Sequence, residues 1–172
     1  MPGASGTFPF IVSTPDDWIP TLEDTLFDRI GGREGCTRLS EAFYDAMSEH
    51  EEALARLHEV DDNGRVTDPI RQHFALFLTF WLGGPRDYLE VRGHPALRMR
   101  HAPFAIDIAM RDAWLNSMGR ALDALGIEGA VRAHLDGRFG QVADFLRNVE
   151  EPSATGSGQG GLVRLRLGSE GG

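Results

Sequence analysis

The chain has 172 residues, of which 41% are hydrophobic and 25% charged, and these values are typical of one folded domain with a sizeable core. The 17 basic residues are outnumbered by 26 acidic ones, and the net charge of −9 argues against a nucleic-acid partner because phosphate backbones would be repelled. The single cysteine excludes an internal disulfide, no apolar run approaches the roughly 20 residues of a membrane span, and the first residues lack a signal-peptide pattern, so we expect a cytoplasmic protein.

Composition divides the chain into three parts. Residues 1–20 contain four prolines and little apolar periodicity, which predicts an irregular extension attached through an aromatic side chain. The candidates for this attachment are Phe8, Phe10 and Trp18. Residues 151–172 are rich in glycine and serine and predict a flexible tail, although the segment LVRLRL alternates apolar and basic residues as a strand would. Residues 21–150 are expected to form the folded domain.

The first part of this domain predicts three helical segments. A short helix follows Thr21 and ends at Gly31-Gly32, because glycine readily ends a helix. A longer helix begins near Glu34, with Tyr44 beside its apolar face, and that face carries Leu39, Phe43 and Met47 at helical spacing. A short helical piece over 51–58 and a polar loop follow.

The rest of the domain is also helical in pattern. Thr67-Asp68-Pro69 is typical of a helix start, since capping side chains precede a proline whose missing N–H does no harm in the first turn. This helix ends at Gly83-Gly84-Pro85 and carries an apolar stripe of Ile70, Phe74, Phe77, Leu78 and Trp81. Residues 86–95 predict an irregular stretch before the segment of His101, and two long helices over 107–125 and 128–149 close the domain. No convincing hairpin is present, so the fold class is all-α.

Few patterns point to chemistry. The six histidines lack zinc spacings, the glycine pairs lack the rest of a phosphate-binding loop, and Cys36 fits a buried apolar residue better than a reactive thiol. The residues alone leave two interpretations of His101 in LRMRHAPFAI: a hydrogen-bonded core histidine, or a neutral imidazole that ligates a haem iron. A haem would need an apolar slot, nearby cations and polar groups on its other face. The apolar stripe, the arginines beside His101, and Tyr44, His58 and Trp114 could supply them.

Several runs of residues give the domain a family resemblance. They are Gly31-Gly32, Ala42-Phe43-Tyr44, FWLGGP at 80–85, RGHP at 92–95, LRMRHAPF at 97–104 and RDAWL at 111–115. On these motifs, and over roughly Leu22 to Asn148, the chain resembles the truncated haemoglobins, the two-on-two globins, and within them group II.

The resemblance implies a haem b cofactor with His101 as the proximal iron ligand. Tyr44 and Trp114 correspond to the family's distal residues, and His58 lies where relatives carry an aromatic residue or histidine. Ile70 takes the distal-gate position and Phe74 follows one turn later, so their helix offers no distal hydrogen-bond donor. Further expected haem neighbours, propionate contacts among them, are His73, Phe77, Leu78, Tyr88, Arg98, Arg100 and Phe104.

The function implied is the binding of oxygen and other diatomic gases at a five-coordinate iron. Phenol and indole donors stabilise a partly negative ligand, so we expect slow oxygen release. Slow release favours a redox role, peroxidase-like or consuming nitric oxide with a reductase as candidate partner, over bulk transport. The alternative is a sensor or interaction module that acts through the terminal extensions, and a third interpretation is an all-α protein without haem.

Overall fold

A computed structural model describes residues 14–150, and within this range the chain forms eight helices. They are α1 (Leu26–Arg29), α2 (Gly32–His50), α3 (Glu52–Ala55), α4 (Asp68–Trp81), α5 (Asp87–Arg92), α6 (Leu97–His101), α7 (Ile108–Ala124) and α8 (Gly129–Leu146). The β pairing in this range is limited to one isolated antiparallel bridge between Val60 and Val66, so the all-α prediction is confirmed. No helix between residues 14 and 150 is long and apolar enough to cross a membrane.

The four long helices pack as two pairs. Helix α2 packs along α4, α8 packs along α7, and contact between α2 and α7 joins the pairs. The short helices fill the edges, with α3 against α2 and α7, α5 against α4, and α6 against α8. This arrangement of two helices on two agrees with the fold that the resemblance implies.

The core lies where α2 meets α4, α7 and α8. The helical spacing of Leu39, Phe43 and Met47 brings all three to one face of α2, and at most 1% of each side chain is exposed. Leu122 of α7 and Leu135 of α8 are fully buried in the same cluster. Complete burial of a side chain of this size contributes about 1.5–3 kcal/mol, so this cluster is the main source of the domain's stability.

Helix starts follow local capping, with two departures from the sequence pattern. Helix α1 begins at Leu26 rather than after Thr21, because Thr25 and Asp28 form a capping box: Asp28 N–H donates to Thr25 Oγ1 at 3.2 Å and Thr25 N–H donates to Asp28 Oδ2 at 3.0 Å. Helix α4 begins where predicted, but the Thr67 hydroxyl has no partner. Proline in the first turn therefore marks this start without a side-chain cap.

The prediction of an irregular stretch over residues 86–95 is wrong, because Asp87–Arg92 forms α5. Tertiary packing supplies what the sequence pattern lacks: Tyr88 is buried, and its ring lies 5.5 Å from that of Phe77 and 6.0 Å from that of Phe80. A single helical turn is marginal alone and gains its stability from such contacts. Gly93, with a φ of 69°, ends the helix.

Helix α8 stops at Leu146, earlier than the predicted residue 149, because Asn148 folds back onto the loop after α6. Its Oδ1 accepts from Ile106 N–H at 2.8 Å, and its Nδ2 donates to the Phe104 carbonyl at 2.8 Å. The end of α8 is thereby tied to the segment that follows His101.

Trp18, which precedes α1, contacts Asp24 and His134 of α8. The Trp18 indole N–H donates to Asp24 at 2.8 Å, and His134 Nε2 donates to the Trp18 carbonyl at 3.2 Å. The ring centroids of Trp18 and His134 are 5.6 Å apart. The other predicted attachments, Phe8 and Phe10, and the tail containing LVRLRL lie outside the described residues.

Candidate functional site

An apolar cavity of about 470 Å³ opens between α2, α4, α6, α7 and α8, a volume typical of pockets for cofactors and other small molecules. Its wall is largely aromatic and aliphatic. Most predicted site residues line it: Tyr44, His58, Ile70, His73, Phe74, Phe77, Tyr88, Arg100, His101, Phe104 and Trp114. The topology therefore brings together residues that are far apart in sequence.

Two of the predicted site residues, Leu78 and Arg98, do not line the cavity. Successive residues of an α-helix are about 100° apart around the axis, so Leu78 turns into the core when Phe77 faces the cavity, and it is fully buried there. The Arg98 guanidinium lies 5.1 Å above the ring of Phe145, on the surface between α6 and α8.

His101 reaches the cavity from the last turn of α6. Its Nδ1 lies 2.7 Å from the carbonyl oxygen of Leu97. A carbonyl only accepts, so Nδ1 is the donor in this hydrogen bond and Nε2 is left for another partner. Histidines that ligate metals commonly fix their second nitrogen in this way. This hydrogen bond leaves Nε2 as the nitrogen that could ligate an iron.

Aromatic rings from α2, α4 and α7 form a second part of the wall. Phe43 lies at their centre, with ring centroids 4.9 Å from Tyr44, 5.0 Å from Phe74 and 5.2 Å from Trp114. Neither the Tyr44 hydroxyl nor the Trp114 indole N–H has a hydrogen-bond partner among residues 14–150. Both residues line the cavity, so their donor groups are available to a ligand that reaches them.

The protonation states of this wall follow from burial. Burial raises the pKa of the Tyr44 phenol far above its usual range, so the side chain is a neutral donor at neutral pH. Burial is also the main reason that the pKa of His58 is lowered, so its imidazole is neutral. His58 Nδ1 donates to the Leu54 carbonyl at 3.1 Å, which leaves Nε2 as an acceptor. Tyr44 and Trp114 are thus the neutral hydrogen-bond donors of this wall. The His58 ring packs beside that of Tyr44, with centroids 5.5 Å apart.

One edge of the cavity is basic. His73 stacks on Tyr88 with ring centroids 5.6 Å apart, and its pKa is lowered first by burial and then by the charges of Arg92 and Arg100. Arg100 lines this edge, and within residues 14–150 it forms no ion pair with a carboxylate. Cations at the rim of an apolar cavity fit a ligand with an apolar body and anionic groups at one edge.

The side chains available as metal ligands indicate what kind of metal site the cavity could form. Among residues 14–150, no group of three or more His, Cys, Asp or Glu side chains could hold a metal ion by itself. The cavity instead offers one imidazole in an apolar slot with a basic rim. These features fit haem, which supplies its own equatorial ligands, a flat apolar ring and two carboxylates.

Sequence reasoning missed some of the wall. Phe139 of α8 lies 5.3 Å from Trp81 and 5.7 Å from Trp114, and it lines the cavity with Val142 and Leu146. The helical spacing of these α8 residues was a signal, but it does not separate core from cavity. A buried arginine near Tyr44, Arg71, had no such signal because arginine is usually solvated.

Comparisons with known proteins identify the family to which the chain belongs. The bacterial-like globin family profile matches residues 25–148, a range that contains all eight helices. The chain is 38% identical over 120 residues to the group 2 truncated hemoglobin YjbI of Bacillus subtilis (strain 168), covering 70% of this chain and 86% of that protein.

Two solved structures extend the comparison. The cold-adapted truncated haemoglobin of the Antarctic marine bacterium Pseudoalteromonas haloplanktis TAC125 is 38% identical, with a TM-score of 0.67 and coverage of 73% of this chain and 99% of that one. The truncated oxygen-avid haemoglobin of Bacillus subtilis is 35% identical, with a TM-score of 0.63 and coverage of 72% and 99%. Both similarities confirm the truncated globin fold.

Proposed function

Because the chain belongs to the bacterial-like globins, haem proteins that bind oxygen, we propose that it holds haem b through His101, releases oxygen slowly and serves redox chemistry rather than bulk transport. The cavity carries this proposal. One apolar space contains an imidazole whose Nε2 is left for a ligand and two neutral donors that have no partner among residues 14–150. That combination suits a cofactor with a gaseous ligand better than a plain core.

Residues of α4, of α6 and of the loop after α6 would hold the cofactor. His101 Nε2 is the iron ligand, and the bond from Nδ1 to the Leu97 carbonyl fixes the orientation of the ring. Phe77 and Phe104 present apolar surface, while Arg100 lies at the basic rim for the propionates. When bound, haem supplies an iron with an open coordination site for oxygen and other diatomic gases, and it can exchange electrons.

Tyr44 and Trp114 would set the rate of oxygen release. Each can donate one hydrogen bond to a partly negative ligand, and each bond contributes about 1 kcal/mol or more in a dry pocket. Ile70 and Phe74 line the same space with apolar groups and add no donor. The description of the Bacillus subtilis relative as oxygen-avid supports slow release here.

An oxygen molecule that is released slowly is better suited to reaction at the site than to bulk transport. The reactions we propose are nitric oxide consumption, with electrons returned by a reductase, or peroxidase-like oxidation, in which the oxidised substrate supplies the electrons. Tyr44 and Trp114 would hydrogen-bond the reacting diatomic or peroxide oxygen, and the surrounding apolar rings would exclude water from it.

The test uses haem-reconstituted protein. We expect a Soret band, slow oxygen dissociation in stopped flow, and turnover either with nitric oxide or with hydrogen peroxide and a phenolic reductant. Absence of a Soret band after reconstitution would contradict the haem proposal. Oxygen dissociation that does not change in a Tyr44→Phe/Trp114→Phe double variant would contradict the distal roles, and slow release without either turnover would reject the redox role alone.

A further inference from the structure

A positive charge lies buried behind the wall that carries Tyr44. The side chain of Arg71, in the first part of α4, is completely buried. Its Nη1 pairs with Glu41 at 2.8 Å and Asp45 at 2.7 Å, and its Nε donates to the Val66 carbonyl at 2.8 Å. A buried cation is costly unless well held; these acceptors hold Nη1 and Nε, while Nη2 has no partner among residues 14–150.

This fixed cation faces the ring of Tyr44. The Arg71 guanidinium carbon lies 5.8 Å from the centroid of the Tyr44 ring, within cation–π range. Arg71 does not line the large cavity; it borders a smaller one of about 250 Å³ on the α2–α4 side, so it reaches a ligand only through Tyr44. The positive charge also opposes the rise that burial causes in the pKa of Tyr44.

We propose that Arg71 is a positioning residue for Tyr44, which immobilises the ring and polarises the phenol so that its O–H is a stronger hydrogen-bond donor to a ligand in the large cavity. The physical reason is that a nearby cation draws electron density from the ring and its oxygen, and hydrogen bonds strengthen as the donor becomes more acidic. The inference rests on the proposed function, because it deepens the role of Tyr44 at the same site.

A purely structural role is the competing explanation. Arg71 also clamps α4 to α2, since its Nη1 donates to the Glu41 carbonyl at 3.1 Å and its own carbonyl accepts from Ser40 Oγ at 2.7 Å. A clamp alone would affect the free energy of unfolding and leave the strength of the Tyr44 donor unchanged. Ligand kinetics and a vibrational probe of the cavity separate the two.

The experiment compares holoprotein with Arg71→Gln and Arg71→Lys, each also combined with Tyr44→Phe. Both substitutions lose the guanidinium fork, and only lysine keeps the charge. We expect Arg71→Gln to speed oxygen dissociation roughly threefold to tenfold, which corresponds to the loss of part of a cation–π contact, and to raise the C–O stretching frequency of bound carbon monoxide. Arg71→Lys should restore most of both values. In the Tyr44→Phe background, Arg71→Gln should change neither.

Two further variants complete the design. Arg132→Gln removes an arginine that pairs with Asp123 and Asp136 outside the cavity, and it should leave oxygen dissociation and the C–O stretch unchanged. Asp45→Asn, at a side chain that is 63% exposed, leaves the Arg71 charge less neutralised. It should fold even if Arg71→Gln does not, and it should act in the opposite direction by slowing oxygen dissociation.

Several results would overturn the inference. They are equal effects of Arg71→Gln and Arg71→Lys, an undiminished effect in the Tyr44→Phe background, lost stability with unchanged ligand kinetics, or no slowing in Asp45→Asn. If Tyr44→Phe speeds dissociation and Arg71→Gln does not, this inference fails and the proposed function stands. If Tyr44→Phe itself has no effect, the distal part of the proposed function fails first.

Discussion

Replacing Tyr44 with phenylalanine removes one hydroxyl from the cavity wall and keeps the ring. The ring is 5% exposed, and its contacts with Phe43 at 4.9 Å and Phe74 at 5.7 Å do not involve the oxygen. The hydroxyl has no partner among residues 14–150, so its removal should leave the free energy of unfolding almost unchanged. A hydrogen bond to a partly charged ligand contributes about 1.5 kcal/mol or more, so we expect roughly tenfold faster oxygen dissociation.

Stopped-flow mixing of the oxygenated holoprotein with carbon monoxide measures this rate, and chemical unfolding measures stability. Tyr88→Phe removes the same atom beside His73, at the basic edge of the cavity. We expect Tyr88→Phe to act on haem retention and to lack the tenfold change. The reasoning is refuted if Tyr44→Phe leaves oxygen dissociation unchanged, or if Tyr88→Phe speeds it equally.

Three further predictions concern the fold around the cavity. Phe139→Ala, at a side chain that is 2% exposed, should lower the free energy of unfolding by about 3–5 kcal/mol in chemical denaturation. Gly84→Ala should lower the free energy of unfolding, because the added Cβ would lie 2.6 Å from the Thr79 carbonyl oxygen. Gly137→Ala in α8 would place a Cβ with nothing within 4 Å, and it should raise the free energy of unfolding by about 0.5–1 kcal/mol. Equal melting temperatures of the two variants would contradict both expectations. Burial lowers the pKa of His58 below its ordinary 6.5, so the unfolded chain takes up a proton at a higher pH than the folded chain does. The free energy of unfolding should therefore fall as the pH drops below 6.5. His58→Gln should weaken this fall, and an unchanged pH profile of unfolding would contradict the expectation.

The long helices could be predicted because their apolar spacing records which face is buried. Residues of α2 at helical spacing are indeed the buried ones, and α4 begins at its Asp68-Pro69 signal. Helix α5 could not be predicted in this way, since it is stabilised by the packing of Tyr88 against Phe77 rather than by its own sequence. Leu78 shows the same limit, because neighbouring apolar residues look alike in a pattern and only the packing shows which one faces the cavity.

Most residues that line the cavity could be predicted as a set, chiefly through the motifs around His101, but their hydrogen bonds could not. Donor and acceptor roles depend on local carbonyls: the bond from His58 to Leu54 makes His58 an acceptor, and no sequence pattern contains that information. Arg71 is hidden for a related reason. Its burial is tolerable only because Glu41 and Asp45 of another helix meet it in the fold.

The claim that the chain binds haem through His101 is tested most directly by the absorption spectrum of ferrous His101→Ala. With the imidazole removed, the cavity still has its apolar wall and basic rim, so haem uptake should weaken and the spectrum of histidine-ligated ferrous haem should be lost. Adding free imidazole should restore that spectrum, because the deleted ring leaves space for it beside Leu97. A ferrous spectrum in His101→Ala that matches the parent without imidazole would show that another residue is the iron ligand.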